Sequence, residues 1–163
     1  MRDIWFISDT HFGHENIIRH AQRPFDSTRE TDEAIADNWT SCVKQCDLVY
    51  HLGDVAWTNA GLELFAKLPG TKRLILGNHD NGLRCVPLVQ RLQLFRRFKA
   101  FGFMASHMPI RDEGLREPVN VHGHIHDNDP PTRNHVNVCV EKTDYRPVHL
   151  DVIRKIVRER REP

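Results

Sequence analysis

The sequence Leu74-Ile75-Leu76-Gly77-Asn78-His79-Asp80 sets an amide, an imidazole and a carboxylate directly after a short apolar run. An apolar run of this length is typical of a buried strand, so the polar residues lie in the loop where the strand ends. The glycine before them frees the backbone for a tight loop. Core packing does not require this combination, and it suits a loop that holds a metal ion or a phosphate group.

Four other stretches repeat the arrangement of an apolar run followed by polar residues. These residues are Asp9 and His11 after 4–7, Asp54 after 48–52, His107 after 101–105, and His124 with His126 after 119–121. In an extended loop, residues two apart point to the same side, so Asp9 and His11 can contact one cation together. We therefore interpret the chain as a scaffold that brings five loops together.

The first half of the chain alternates strands with helices. Apolar runs predict strands over 3–8, 48–52 and 72–76. Helical spacing of apolar residues predicts helices over 27–43, where Ser27 and Glu30 fit a capping box, and over 62–68. We also predict a helix over 83–94, interrupted near Pro87. This alternation favours an α/β layered fold with a largely parallel first sheet.

The second half is rich in strands, which we predict around 94–99, 101–106, 119–121, 136–140 and 148–150. A helix over 151–161 closes the chain. These strands should form a second sheet that packs on the first, with helices outside the two sheets. Since the sequence shows neither a linker nor an internal repeat, we predict a single domain over 1–163.

Composition limits the classes of function. The net charge of +1 argues against bulk electrostatic capture of nucleic acid, and basic residues in the closing helix are only a weak hint of it. No apolar run approaches the roughly 18 residues of a membrane span, and residues 1–3 do not resemble a secretory signal. We therefore expect a cytoplasmic protein without a membrane partner or an obligate protein partner. The four cysteines lack CxxC spacing and are expected to be free thiols.

The candidate ligands are too numerous for a single zinc site in a protein of 163 residues. They are Asp9, His11, Asp54, Asn78, His107, His124 and His126. We therefore predict two metal ions, with Asp54 as the natural bridge because it is the lone acidic group at its strand end. Two divalent ions keep positive charge that two carboxylates do not cancel, so they can hold a bridging hydroxide and a phosphate. Oxygen and imidazole ligands together favour manganese, with iron, zinc or nickel as alternatives.

Taken in order, the motifs resemble those of the calcineurin-like metallophosphoesterases. They are Asp9-x-His11, Gly53-Asp54, Gly77-Asn78-His79-Asp80, His107 and Gly123-His124-x-His126. The stretch from Asp9 to Ile18 further resembles a subgroup of small, single-domain bacterial and phage members. The resemblance implies a four-layer α/β/β/α sandwich of two mixed β-sheets flanked by helices.

The resemblance also implies roles for individual residues. The first metal would be held by Asp9, His11, Asp54 and His126. The second would be held by Asp54, Asn78, His107 and His124. His79 would lie over the phosphate and stabilise or protonate the leaving oxygen, and Asp80 would orient His79. Candidate substrate contacts are His14, Arg23 and Asn78.

We predict a metal-dependent phosphoric ester hydrolase. A phosphodiesterase that cleaves a small nucleotide-type or cyclic phosphodiester by attack of a metal-bridging hydroxide is favoured, because the chain lacks an obvious accessory domain for long DNA. A phosphomonoesterase ranks second after the phosphodiesterase, and a protein phosphatase ranks third. A non-catalytic, metal-stabilised interaction module is a different class, and it would be marked by loss of His79 or Asp54, both of which are present.

Overall fold

The computed structural model of the chain describes residues 2–161. The strands within these residues are β1 Ile4–Ile7, β2 Leu48–His51, β3 Thr71–Ile75, β4 Arg91–Gln93, β5 Phe95–Phe98, β6 Phe103–Ser106, β7 Val119–His122, β8 His135–Asn137 and β9 Val148–His149. The α-helices are α1 Ile17–His20, α2 Thr28–Cys42, α3 Asn59–Lys67, α4 Gly82–Cys85 and α5 Leu150–Arg161. None of these helices is long and apolar enough to span a membrane.

The strands form two mixed sheets. The first has the order β4-β3-β2-β1-β9, in which every pair is parallel except β1 with β9. The second has the order β5-β6-β7-β8, in which only the pair of β5 with β6 is antiparallel. Two mixed sheets flanked by helices confirm the predicted α/β sandwich.

Apolar side chains bury both faces of the first sheet. The core between the two sheets includes Phe6, Tyr50, Phe103, Val121 and Ile153. The core between the first sheet and helices α2 and α3 includes Ile7, Ile35, Trp39, Phe65 and Leu74. Burial on both faces explains why β1 and β2 have nearly continuous apolar sequences instead of an alternating pattern.

Helix α2 agrees with its prediction to within one residue at each end. The Ser27 hydroxyl accepts a hydrogen bond from the backbone N–H of Glu30, as expected for an N-cap. The carboxylate of Glu30 reaches back one residue further than in a capping box and accepts from the N–H of Asp26. The helix therefore begins where the sequence predicted. Of the two capping-box bonds, the one accepted by the Glu30 carboxylate is moved from Ser27 to Asp26.

The helix predicted over 83–94 is wrong. The chain forms only the short α4, then a 3-10 turn over Val86–Leu88, and then β4, the parallel edge strand beside β3. Pro87 is compatible with the first turn of a helix but not with its interior, because it has no N–H to donate. The sequence Arg91-Leu92-Gln93 carries little apolar signal because an edge strand is only partly covered.

Strand β9 was predicted correctly in position but placed in the wrong sheet. Val148 and His149 pair with Phe6 and Trp5 of β1, at the edge of the first sheet. Apolar residues indicate that a short strand is buried, but not which sheet edge it joins. That choice depends on how the chain crosses back after β8.

Candidate metal centre

The loops after β1, β2, β3, β6 and β7 meet at one end of the two sheets. Parallel strands end at the same edge, which brings together the loops within each sheet. Hydrogen bonds then join the two sheets there, since Ser8 donates its N–H to the Val138 carbonyl at 3.1 Å and His124 donates its N–H to Asp9 Oδ2 at 2.9 Å. The structure thus brings together all seven residues that the sequence proposed as ligands.

The first group of potential ligands consists of Asp9, His11 and His126. One oxygen or nitrogen atom from each lies within 4.8 Å of the others. Nε2 of His11 is 3.9 Å from Oδ1 of Asp9. Asp9 and His11 are buried, whereas His126 is partly exposed, so the group faces solvent on one side only.

The second group consists of Asp54, His107 and His124, whose potential ligand atoms also lie within 4.8 Å of one another. Asn78 belongs to the same place, because its Oδ1 is 2.8 Å from Nε2 of His107. The other ring nitrogen of His107 lies 2.8 Å from the Leu52 carbonyl, an acceptor, so Nδ1 carries a proton and donates it there. Nε2 of the neutral ring then carries no proton, so Nε2 and Asn78 Oδ1 are two acceptors that face each other. A cation bound by both atoms would stabilise this arrangement.

Asp54 lies between the two groups. Its Oδ2 is 3.5 Å from Nε2 of His11 in the first group and 3.5 Å from Nε2 of His107 in the second. Its other oxygen, Oδ1, accepts the backbone N–H of His79 at 3.0 Å. The Asp54 carboxylate is therefore fixed with one oxygen directed at both groups.

Two buried atoms test whether this donor set fits metal ions. Oδ1 of Asp9 and Nε2 of His11 are buried without a hydrogen-bond partner in the part of the chain that the structure describes. Burial raises the pKa of Asp9 and lowers the pKa of His11, because loss of water disfavours the charged form of each. Buried polar atoms nearly always have partners. Divalent metal ions fit these carboxylate, imidazole and amide donors and would satisfy both atoms.

Most of the potential ligands have a left-handed backbone. The φ angles are 59° at Asp9, 51° at His11, 56° at Asp54, 72° at His124 and 50° at His126. Such conformations are uncommon outside glycine and cost about 1–3 kcal/mol each. The sequence argument that an extended loop aligns Asp9 with His11 is therefore wrong. The two residues converge because each turns the backbone.

His79 lies at the open side of the site. Its ring is exposed, and the ring centroid is 5.7 Å from that of His11 and 5.4 Å from that of Trp57. Within residues 2–161, the carboxylate of Asp80 makes no hydrogen bond to this ring. It accepts the backbone N–H groups of Asp54, Val55 and Gly77, each at 2.8 Å. Asp80 thus ties the loop after β2 to the loop after β3.

The other two candidate substrate contacts lie in different surroundings. The ring of His14 is at the rim of the site, 5.4 Å from the His11 ring and stacked on Trp57 at 4.1 Å. Arg23 is only 4% exposed, and its guanidinium donates to the carbonyls of Asp9 and Thr10 at 2.7 and 3.0 Å. Because its donors are directed inward, Arg23 holds the loop after β1 and is not placed to contact a substrate, which corrects the sequence prediction.

Sequence reasoning missed Glu141. Its nearly buried carboxylate accepts from Nδ1 of His126 at 3.1 Å and from the Arg23 guanidinium at 2.8 Å. Burial lowers the pKa of His126, but the hydrogen bond and charge of Glu141 outweigh burial and raise it above the usual value. Glu141 follows β8 in no recognisable motif, so only its position in space identifies it.

Comparisons with known proteins find a matching family model, two relatives and a solved structure with the same fold. The family model described as calcineurin-like phosphoesterase matches residues 2–163. The uncharacterized protein MJ1445 of Methanocaldococcus jannaschii is 34% identical over 169 positions, which cover 96% of this chain and 92% of that protein. The Gene 66 protein of Mycobacterium phage D29 is 30% identical, covering 77% of this chain and 79% of its own length.

A solved structure shares the fold over nearly the whole chain. The protein of unknown function AQ665 from Aquifex aeolicus superimposes with a TM-score of 0.80 and 28% identity, covering 96% of this chain and 100% of that one. The family model covers almost the entire sequence, which confirms the resemblance seen in the motifs. The chain therefore belongs to the calcineurin-like phosphoesterase family.

Proposed function

We propose that this phosphoesterase is a phosphodiesterase that uses two divalent metal ions, preferably manganese, and cleaves a small nucleotide-type or cyclic phosphodiester. The observation that carries the proposal is the position of Asp54, whose Oδ2 lies 3.5 Å from a histidine nitrogen of each ligand group. One carboxylate between two ligand groups can serve two neighbouring ions at once, and pairs of such ions catalyse phosphoester hydrolysis.

The residues divide between two ions. The first would be held by Asp9, His11, Asp54 and His126. The second would be held by Asp54, Asn78, His107 and His124. When bound, such a pair of ions lowers the pKa of a water molecule and neutralises charge that develops on the phosphoryl oxygens.

His79 supplies the proton chemistry in this proposal. Its exposed ring lies next to the first ligand group, and its N–H bond to Asp54 Oδ1 fixes the backbone that carries it. A histidine so placed can give a proton to the oxygen that leaves phosphorus. Asp80 supports it by holding the loops after β2 and β3 together.

Two separate cavities that adjoin the site favour a diester over a monoester. One cavity, of about 220 Å³, adjoins His79 and Trp57. A second, of about 370 Å³, adjoins Asn78 and His107 and is lined by apolar side chains that include Phe95. A phosphodiester carries two organic groups, one for each cavity, whereas a monoester carries one.

Hydrolysis of paired substrates tests the proposal. Manganese-loaded protein should cleave bis-p-nitrophenyl phosphate faster than p-nitrophenyl phosphate at equal concentration. The variant Asp54→Ala should lose both activity and bound metal, and His79→Ala should lose roughly 10²- to 10⁴-fold in kcat while keeping its metal. Asp37→Ala, at an exposed position on α2, is the control for an acidic residue away from the site.

Three results would contradict it. Equal rates in the wild type, Asp54→Ala and His79→Ala would reject the residue assignments. Faster cleavage of the monoester would reject the preference for diesters and support a phosphomonoesterase. Metal binding without turnover of either substrate would support the non-catalytic interaction module instead.

A further inference from the structure

A cavity of about 220 Å³ opens beside His79, between Trp57 and Arg84. Its volume corresponds to about seven water molecules at roughly 30 Å³ each, which suits one small organic group and not a polymer. The buried side chains of Leu62 and Cys85 also line it. We call it the Trp57 cavity.

Trp57 gives this cavity an aromatic wall. Trp57 is 49% exposed, although its side chain is large and mostly apolar. It is held in place by His14, whose ring is stacked on it at 4.1 Å with an interplanar angle of 8°. A fixed, exposed indole binds planar ring systems by stacking, and it accepts any nucleobase because every base has a π-face.

Arg84 gives the cavity a planar cation. Its guanidinium donates a hydrogen bond to Oδ1 of Asn59, which holds it near the Trp57 cavity. The remaining N–H groups can donate to acceptors on the edge of a base, and the guanidinium plane can itself stack on a ring. No acidic side chain lines this cavity in the described part of the chain, so it does not favour a cationic group.

We propose that the Trp57 cavity binds the organic group that hydrolysis releases, and that this group carries a nucleobase. The inference rests on the proposed function, which puts the leaving oxygen next to His79. It applies to a diester whose two organic groups are separate, because opening a cyclic diester releases no alcohol. Water adds a hydroxyl to phosphorus as the P–O bond breaks, the released alcohol takes a proton from His79, and the proton left by water returns to His79. The base of that alcohol then stacks on Trp57, and the second organic group stays on phosphorus.

Binding of the released alcohol alone tests the inference without turnover. Adenosine, titrated into zinc-loaded protein labelled with ¹⁵N, should shift the indole N–H resonance of Trp57, whereas ribose should not. Trp57→Ala should weaken adenosine binding by about 5- to 150-fold, the effect of losing one base–aromatic stack. Trp57→Phe should restore most of the affinity, and Arg84→Gln should weaken it. Leu83→Ala is the control, because Leu83 is 89% exposed on α4 and does not line the cavity.

Adenosine binding that is equal in the wild type and Trp57→Ala would overturn the inference, as would a Trp57 resonance that millimolar adenosine leaves unchanged. The proposed function can be rejected independently of this inference. An active phosphodiesterase that ignores adenosine would reject only the Trp57 cavity as a base site. A protein that binds adenosine at Trp57 but cleaves no phosphoester would keep the base site and reject the activity.

Discussion

Nδ1 of His126 lies 3.1 Å from Oε1 of Glu141, a nearly buried carboxylate that also accepts from Arg23. When Nδ1 donates to a carboxylate, the lone pair of Nε2 is left to bind a metal ion, and the ring is fixed in orientation. The same Arg23 guanidinium donates to the carbonyls of Asp9 and Thr10. Arg23 and Glu141 thus connect the first and last ligand loops in the chain.

Glu141→Gln tests this connection. Glutamine keeps the shape of the side chain but removes its charge, so both His126 and the buried Arg23 lose a charged acceptor. We expect the affinity of the first metal site to fall by roughly 10- to 100-fold, as is usual when such a supporting group is lost. Competition with a metal-binding dye measures the affinity, and circular dichroism checks the fold. Glu159→Gln, on the exposed side of α5, should behave as wild type. An unchanged affinity in Glu141→Gln would contradict a supporting role.

The sequence identifies the ligand types because carboxylates, imidazoles and an amide after apolar runs are visible in its letters. It does not show why the glycines are needed. Gly77 was interpreted as a residue that frees the backbone, but its φ is not in the left-handed region. It is glycine because a Cβ there would overlap with Oδ1 of Asp54. That close approach between two loops depends on tertiary packing, which a single motif does not encode.

Other features could not be predicted from the sequence because their partners are distant along the chain. Glu141 is 15 residues from His126 and 118 from Arg23, so no local pattern connects the three. The edge strand β4 was missed because Arg91 and Gln93 obtain their strand geometry from pairing with β3. The sheets were predicted more successfully since burial on both faces leaves a strong apolar signal in β1 and β2.

Asp9→Asn should separate metal binding from stability. Asparagine can still accept the N–H of His124, but it removes a buried charge whose Oδ1 has no partner within residues 2–161. We expect metal-free Asp9→Asn to be at least as stable as metal-free wild type in thermal unfolding. Manganese at 100 times its Kd should stabilise the wild type by about 2.7 kcal/mol for each ion bound, and the variant far less.

Asp37→Asn provides the matched control, since it changes the same group on the exposed side of α2. A metal-free Asp9→Asn protein that unfolds well below the metal-free wild type would show that the carboxylate is structural. Equal stabilisation of the wild type and Asp9→Asn by manganese would remove Asp9 from the ligand set.

Gly123→Ala should damage the first ligand group. A methyl group at this position would overlap with Oγ of Ser8 and Oδ2 of Asp9, both on the loop after β1. We expect a loss of about 1–3 kcal/mol in the free energy of unfolding, together with weaker metal binding. Gly82→Ala is the control, because the nearest atom to its methyl group would be 3.8 Å away on Leu76. Urea denaturation and metal titration of both variants check this, and equal behaviour of the two would refute the packing argument.

Lys72→Met should destabilise the end of α3. Lys72 is only 7% exposed, and its ammonium donates hydrogen bonds to the carbonyls of Leu68, Ala66 and Gly70. Burial lowers the pKa of Lys72, so methionine relieves a desolvation cost. It also leaves carbonyls at the negative end of the helix without a donor. We expect the second effect to win, because a buried unsatisfied carbonyl costs about 1–3 kcal/mol and the bond to the Leu68 carbonyl is buried. Urea denaturation measures the free energy of unfolding. Lys67→Met is the control, because Lys67 is exposed. If Lys72→Met were as stable as Lys67→Met, the relief of desolvation would dominate.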